Sequence, residues 1–114
     1  MKLKELVEAL SLEAKTYKDG LQKEVTGAYA SDLLSDVMAN AKDGNIWITL
    51  QTHLNIVAVA SLKGVIGIII VGGRKIPEDV LKKAEEEKIT VMTTSLHAFE
   101  LAGRIYQLLN PNYS

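Results

Sequence analysis

From residue 25 onward, short apolar runs bounded by turn residues alternate with stretches of helical spacing. Val25–Ala30, Ile46–Leu50, Val65–Val71 and Ile89–Met92 have the length and β-branched character of strands. Each is followed by a helical pattern. Ser31-Asp32 precede Leu33, Leu34, Val37 and Met38, and Thr52 precedes a helix that Gly64 stops. Pro77 with Glu78 and Asp79 opens a helix that turns Val80, Leu81 and Ala84 inward. Thr94 or Ser95 caps a last helix carrying Phe99, Leu101, Ala102, Ile105 and Leu108, which Asn110-Pro111 ends. Parallel strands need such crossover helices, and strands apolar on both faces need cover on both. The pattern therefore predicts a three-layer α/β/α fold with a mostly parallel sheet. Upstream, Leu3, Leu6, Val7 and Leu10 give a short amphipathic helix. Leu12–Tyr17 reads as a short strand and Lys18-Asp19-Gly20 as a turn.

A chain of 114 residues fits one domain over 1–114, large enough to bury a core without staples. The formal net charge of −1 offers no bulk attraction to nucleic acid or an anionic membrane surface. The absence of cysteine removes disulfides and thiolate metal ligands, and fits a reducing cytoplasm. Met1–Leu6 is amphipathic, without the apolar centre of a signal peptide, and no window has the apolar length of a membrane span.

In an open parallel sheet, strand carboxyl ends and the amino ends of the following helices share one edge, where ligands bind. That edge collects the candidate ligand-binding residues Asp32, Gln51, Thr52, His53, Gly72, Gly73, Arg74, Thr93, Thr94 and Ser95. Hydroxyls, helix amino ends and a guanidinium suit a small anion such as phosphate or carboxylate. Each residue also has a plain structural role. Gly72-Gly73 serves a tight turn with positive φ, Arg74 a solvated charge, and Asp32, Thr52 and Ser95 serve as helix caps.

Sharper chemistry fails on the residues. Gly67 to Arg74 has a superficial P-loop spacing, but its interval is an apolar strand and no Lys-Ser/Thr follows. No G-x-G-x-x-G occurs. His53 and His97 are the only histidines, and a metal reading would need both with Asp32. The plainer reading is a Glu100–Arg104 ion pair beside a surface histidine. A Ser95–His53–Asp32 triad has no local support. No cofactor is specified and no catalytic residue is identified.

The stretch 54–62 carries Leu54, Ile56, Val57, Ala58, Val59, Ala60 and Leu62 around nearly its whole circumference. Such a helix is buried on more than one side. It therefore either packs centrally or meets a partner, and a homodimer is the favoured expectation.

The strings Val25-Thr26-Gly27-Ala28-Tyr29-Ala30-Ser31-Asp32-Leu33-Leu34-Ser35-Asp36-Val37-Met38, Trp47-Ile48-Thr49-Leu50-Gln51-Thr52-His53 and Ile68-Ile69-Ile70-Val71-Gly72-Gly73-Arg74 resemble the DRTGG domain family over essentially the whole chain. Leu12–Thr26 is also similar to the N-terminal domain of HPr kinase, which implies that domain's α/β fold. Of the family's five-residue motif only Gly72 and Gly73 are matched, with Val71 at the threonine position. The resemblance implies a non-enzymatic regulatory or assembly module, stand-alone members of which accompany iron-only hydrogenase genes. The alternative is a metal-handling or enzymatic accessory protein using His53, His97 and Asp32.

Overall fold

The computed structural model describes residues 1–112. The elements are α1 (Leu3–Leu10), β1 (Glu13–Ala14), a 3-10 helix (Lys18–Gln22), β2 (Gly27–Ala30), α2 (Leu34–Asn40), β3 (Asn45–Thr49), α3 (Asn55–Lys63), β4 (Gly67–Ile70), α4 (Glu78–Glu86), β5 (Thr90–Thr93) and α5 (Ala98–Leu109). They build a five-stranded sheet in the order β1-β5-β4-β3-β2. Strands β2 to β5 are parallel, and β1 lies antiparallel on β5 with Glu13 opposite Thr93.

The period-two alternation of the strands divides their side chains between two cores. Trp47, Ile68, Ile70 and Val91 face a core closed by Val37 of α2, Ile56 and Ala60 of α3, and Val80 and Ala84 of α4. Ile46, Ile48, Ile69 and Met92 face the opposite core, closed by Leu3 and Leu6 of α1 and Leu101 and Ile105 of α5. Three successive crossovers, each stepping one strand along the sheet, place α2, α3 and α4 on one face. The chain then leaves β5 for the other face, and the result is the predicted three-layer α/β/α arrangement with a mostly parallel sheet.

The structure corrects several local expectations. The strand predicted over Leu12–Tyr17 shrinks to Glu13–Ala14. A side chain replaces the ladder beyond it: the Thr16 hydroxyl donates to the Ile89 carbonyl at 2.7 Å and accepts the Val91 N–H at 2.9 Å. Tyr17 then takes φ 39° and the chain turns into the 3-10 helix instead of a simple turn. None of the predicted caps caps its helix. Helix α2 begins after Leu33, α3 after Leu54 and α5 after His97, with no side-chain cap bond at any of them. Ser31 Oγ instead accepts from Leu33 N, and Thr94 Oγ1 from Leu96 N, as tight local turns. The late helix starts leave polar loops along the carboxyl edge.

Exposure corrects the rest. Phe99, one of the apolar residues of the last helix, is 94% exposed, because Leu101 and Ile105 set the buried face of α5. Leu33 and Met38 are likewise outward. Helix α3 is the middle helix of its layer yet is buried on one side only. Ile56, Val57 and Ala60 are inside, while Leu54, Ala58 and Leu62 form an exposed stripe.

Candidate functional site

At the carboxyl edge, the loop after β4 runs to α4 on one face of the sheet, while the loop after β5 runs to α5 on the other. Adjacent parallel strands whose connections part in this way define a topological switch point, the usual ligand position in open α/β sheets. The sequence predicted the edge; the strand order adds the position along it.

Just beside this point lies an open cavity of about 450 Å³. Arg74 and Lys75 line it from the β4 loop, and Thr93, Thr94 and Ser95 from β5 and its loop. Its remaining wall is Ser11, Glu13 and Lys15. These three were absent from the sequence-derived site. Glu13 and Lys15, two apart on the strand read over Leu12–Tyr17, were legible as sharing a face, whereas Ser11 lies in the left-handed turn that ends α1. What was not legible is that β1 runs antiparallel to β5, which brings its amino end to the carboxyl edge of the others.

Three cations, Lys15, Arg74 and Lys75, and one carboxylate, Glu13, line the cavity. Lys15 pairs with Glu13. Among the described residues neither Arg74 nor Lys75 has a carboxylate within ion-pair distance. Both side chains are exposed. The hydroxyls of Ser11, Thr93 and Ser95 complete a set of donors that fits a phosphate-sized anion.

Gly72 and Gly73 have a different task from the one their position implied. They sit at φ 77° and 67°, a region that costs any L side chain strain. Gly72 N–H donates to the Leu96 carbonyl at 2.8 Å, and Gly73 N–H to the Thr94 carbonyl at 2.9 Å. Both N–H groups are thus spent on splicing the β4 loop to the β5 loop. Gly73 lines the cavity without offering it a donor, and Gly72 lines neither this cavity nor the next.

A second, smaller cavity of about 250 Å³ lies between the ends of β2, β3 and β4. It is lined by Asp32, Leu50, Gln51, Thr52 and Arg74, so Arg74 borders both cavities. Asp32 is a strand-end brace. Its Oδ1 accepts from Thr49 Oγ1 at 2.8 Å and from Leu50 N at 2.7 Å. Gln51 Nε2 donates to the Asp32 carbonyl at 2.9 Å.

The histidines stand apart. His53 is exposed, and its Nδ1 accepts from Asn55 N at 3.1 Å. His97 is exposed beside Gly72. Neither lines either cavity, and among the described residues no three of His, Asp and Glu form a metal-holding group. Glu100 and Arg104 form the ion pair expected from their spacing, at 3.3 Å.

The fold and this edge define a three-layer α/β domain whose open polar face lies at a switch point, with no P-loop. The chain belongs to the DRTGG domain family, whose model matches residues 3–108. Among solved structures it is similar to the CBS and DRTGG domains of the regulatory region of a Clostridium perfringens pyrophosphatase, solved with its activator, diadenosine tetraphosphate. The TM-score is 0.70 at 22% identity, a likeness of fold, over 91% of this chain. The chain spans 45% of the length of that structure. No curated protein matches it. No helix among the described residues is long and apolar enough to cross a membrane.

Proposed function

We propose that the chain is a non-enzymatic regulatory domain that senses a small anionic ligand at the switch point between β4 and β5. The observation that carries this reading is the cavity where Arg74 and Lys75, both without ion-pair partners among the described residues, meet Lys15 and the Thr93-Thr94-Ser95 loop. Two cations held without an internal carboxylate invite an external anion. The fold neighbour is regulatory and is activated by a polyanionic nucleotide, which supports the same reading. The proposed compartment is the cytoplasm, and the proposed setting is the iron-only hydrogenase context of the stand-alone members that the chain resembles.

A ligand that binds only the native state stabilises it by about 2.7 kcal/mol at a hundredfold excess over Kd. Thermal unfolding screened against nucleotides, phosphorylated metabolites and divalent metals therefore tests the proposal. The expected outcome is a rise of several degrees with phosphorylated compounds, lost in Arg74→Ala. No shift with any anion would remove the sensing role.

We also propose that the assembly function is a homodimer through the outward stripe of α3. Leu62 is 74% exposed and continues the stripe of Leu54 and Ala58 one turn apart. Light scattering is expected to give twice the chain mass at micromolar concentration, and the monomer mass for Leu62→Glu. A monomer for the unsubstituted chain would contradict the dimer.

A further inference from the structure

The two cavities differ in what they offer, and the difference specifies a ligand. The larger presents cations and hydroxyls. The smaller presents mainly acceptors, and they are open. Asp32 uses only Oδ1 for Thr49 and Leu50, leaving Oδ2 with no protein donor among the described residues. Gln51 commits its Nε2 to the Asp32 carbonyl, which leaves its Oε1 free. The Thr52 hydroxyl, predicted as a cap, caps nothing, since α3 starts beyond it. Arg74 is the shared wall.

A carboxylate oxygen and an amide oxygen held at a strand end are acceptors for ligand O–H groups. A strand-end carboxylate in an α/β sheet commonly serves as an acceptor for sugar hydroxyls. A free phosphate would satisfy the larger cavity and leave the smaller unused. A molecule with a phosphate at one end and hydroxyls at the other would satisfy both across Arg74.

We propose that the two cavities form one bipartite site for a phosphorylated sugar. The phosphate lies against Lys15, Arg74 and Lys75, and adjacent hydroxyls donate to Asp32 Oδ2 and Gln51 Oε1. Arg74 contacts the phosphate and closes the gap between the halves. This inference rests on the anion reading for its first half, and adds the hydroxyl half.

Calorimetric titration of the full chain with ribose 5-phosphate and, separately, with inorganic phosphate separates the two. Hydrogen bonds to a charged acceptor strengthen binding by about tenfold or more. Ribose 5-phosphate is therefore expected to bind at least about tenfold tighter than phosphate. Asp32→Asn retains an oxygen for Thr49 and Leu50 but turns the open acceptor into a donor. It is expected to erase that advantage, so that ribose 5-phosphate binds no tighter than inorganic phosphate. Arg74→Ala is expected to weaken both ligands. The fluorescence of Trp47, whose indole donates to the Ser31 carbonyl at 2.8 Å, reports that the variants are folded. Equal affinities for the two ligands, or an advantage that survives in folded Asp32→Asn, would overturn the hydroxyl half and leave the anion reading standing. Binding of neither ligand would overturn both.

Discussion

Gly72 and Gly73 were legible as a turn and illegible as a splice. Their positive φ follows from residue type, because glycine alone enters that region without cost. The destinations of their N–H groups, Leu96 and Thr94, depend on β4 and β5 being neighbours. No local pattern states that. A Cβ on Gly73 would meet nothing within 4 Å, so replacement acts through the backbone alone. Gly73→Ala is expected to cost about 1–2 kcal/mol, read from the urea midpoint at unchanged slope. An unchanged midpoint would mean that the loop reaches its geometry without glycine. Asp32 shows the same limit. Its type and position fit a helix cap, but the buried hydroxyl of Thr49 offers its carboxylate a partner that only the paired strands bring near.

At the scale of elements, the apolar runs and helical spacings located every major strand and helix, and their ends were the part misjudged. Ahead of α2 and α5, hydroxyl side chains close local turns, Ser31 with the Leu33 N–H and Thr94 with the Leu96 N–H, so these helices start later than the caps predicted. The junction of β2 with α2 shows how such a boundary is held. The Tyr29 hydroxyl donates to both oxygens of Asp36, at 2.8 and 2.9 Å. The Ser31 hydroxyl first, and Tyr29 next, hold the Asp36 carboxyl below its ordinary 3.8. The bond to Asp36 in turn raises the Tyr29 phenol above its ordinary 10.0. The signs follow from linkage. The Asp36 contribution is present above pH 3.8 and fades as pH falls through its lower folded value. The Tyr29 contribution is present below pH 10.0 and fades as pH rises through its higher folded value. Urea unfolding of Tyr29→Phe is therefore expected to show a deficit against the unsubstituted chain at neutral pH that shrinks below pH 3.8. A deficit independent of pH would assign the effect to packing instead.

For the molecule as a whole, alternation of strands and helices was enough to foresee a three-layer parallel fold, because parallel strands require crossovers. It left the strand order open, and the order decides the site. Four parallel strands in sequence place three helices on one face, so among the described residues the loops part between β4 and β5. The antiparallel β1 then adds Ser11, Glu13 and Lys15 as the third wall. Half of the cavity was thus readable from Arg74 and the Thr93-Thr94-Ser95 run. The other half required knowing which strand β1 joins. The all-apolar character of 54–62 was readable too, but its one-sided burial was not.

A small anion is expected to bind between these walls. Amide chemical-shift mapping of the full chain, titrated with inorganic phosphate, tests it directly. Saturable shifts are expected in three stretches far apart in sequence, 11–15, 73–76 and 93–95, and nowhere else. Shifts centred on α3 or on α5, or no saturable shift at all, would contradict it.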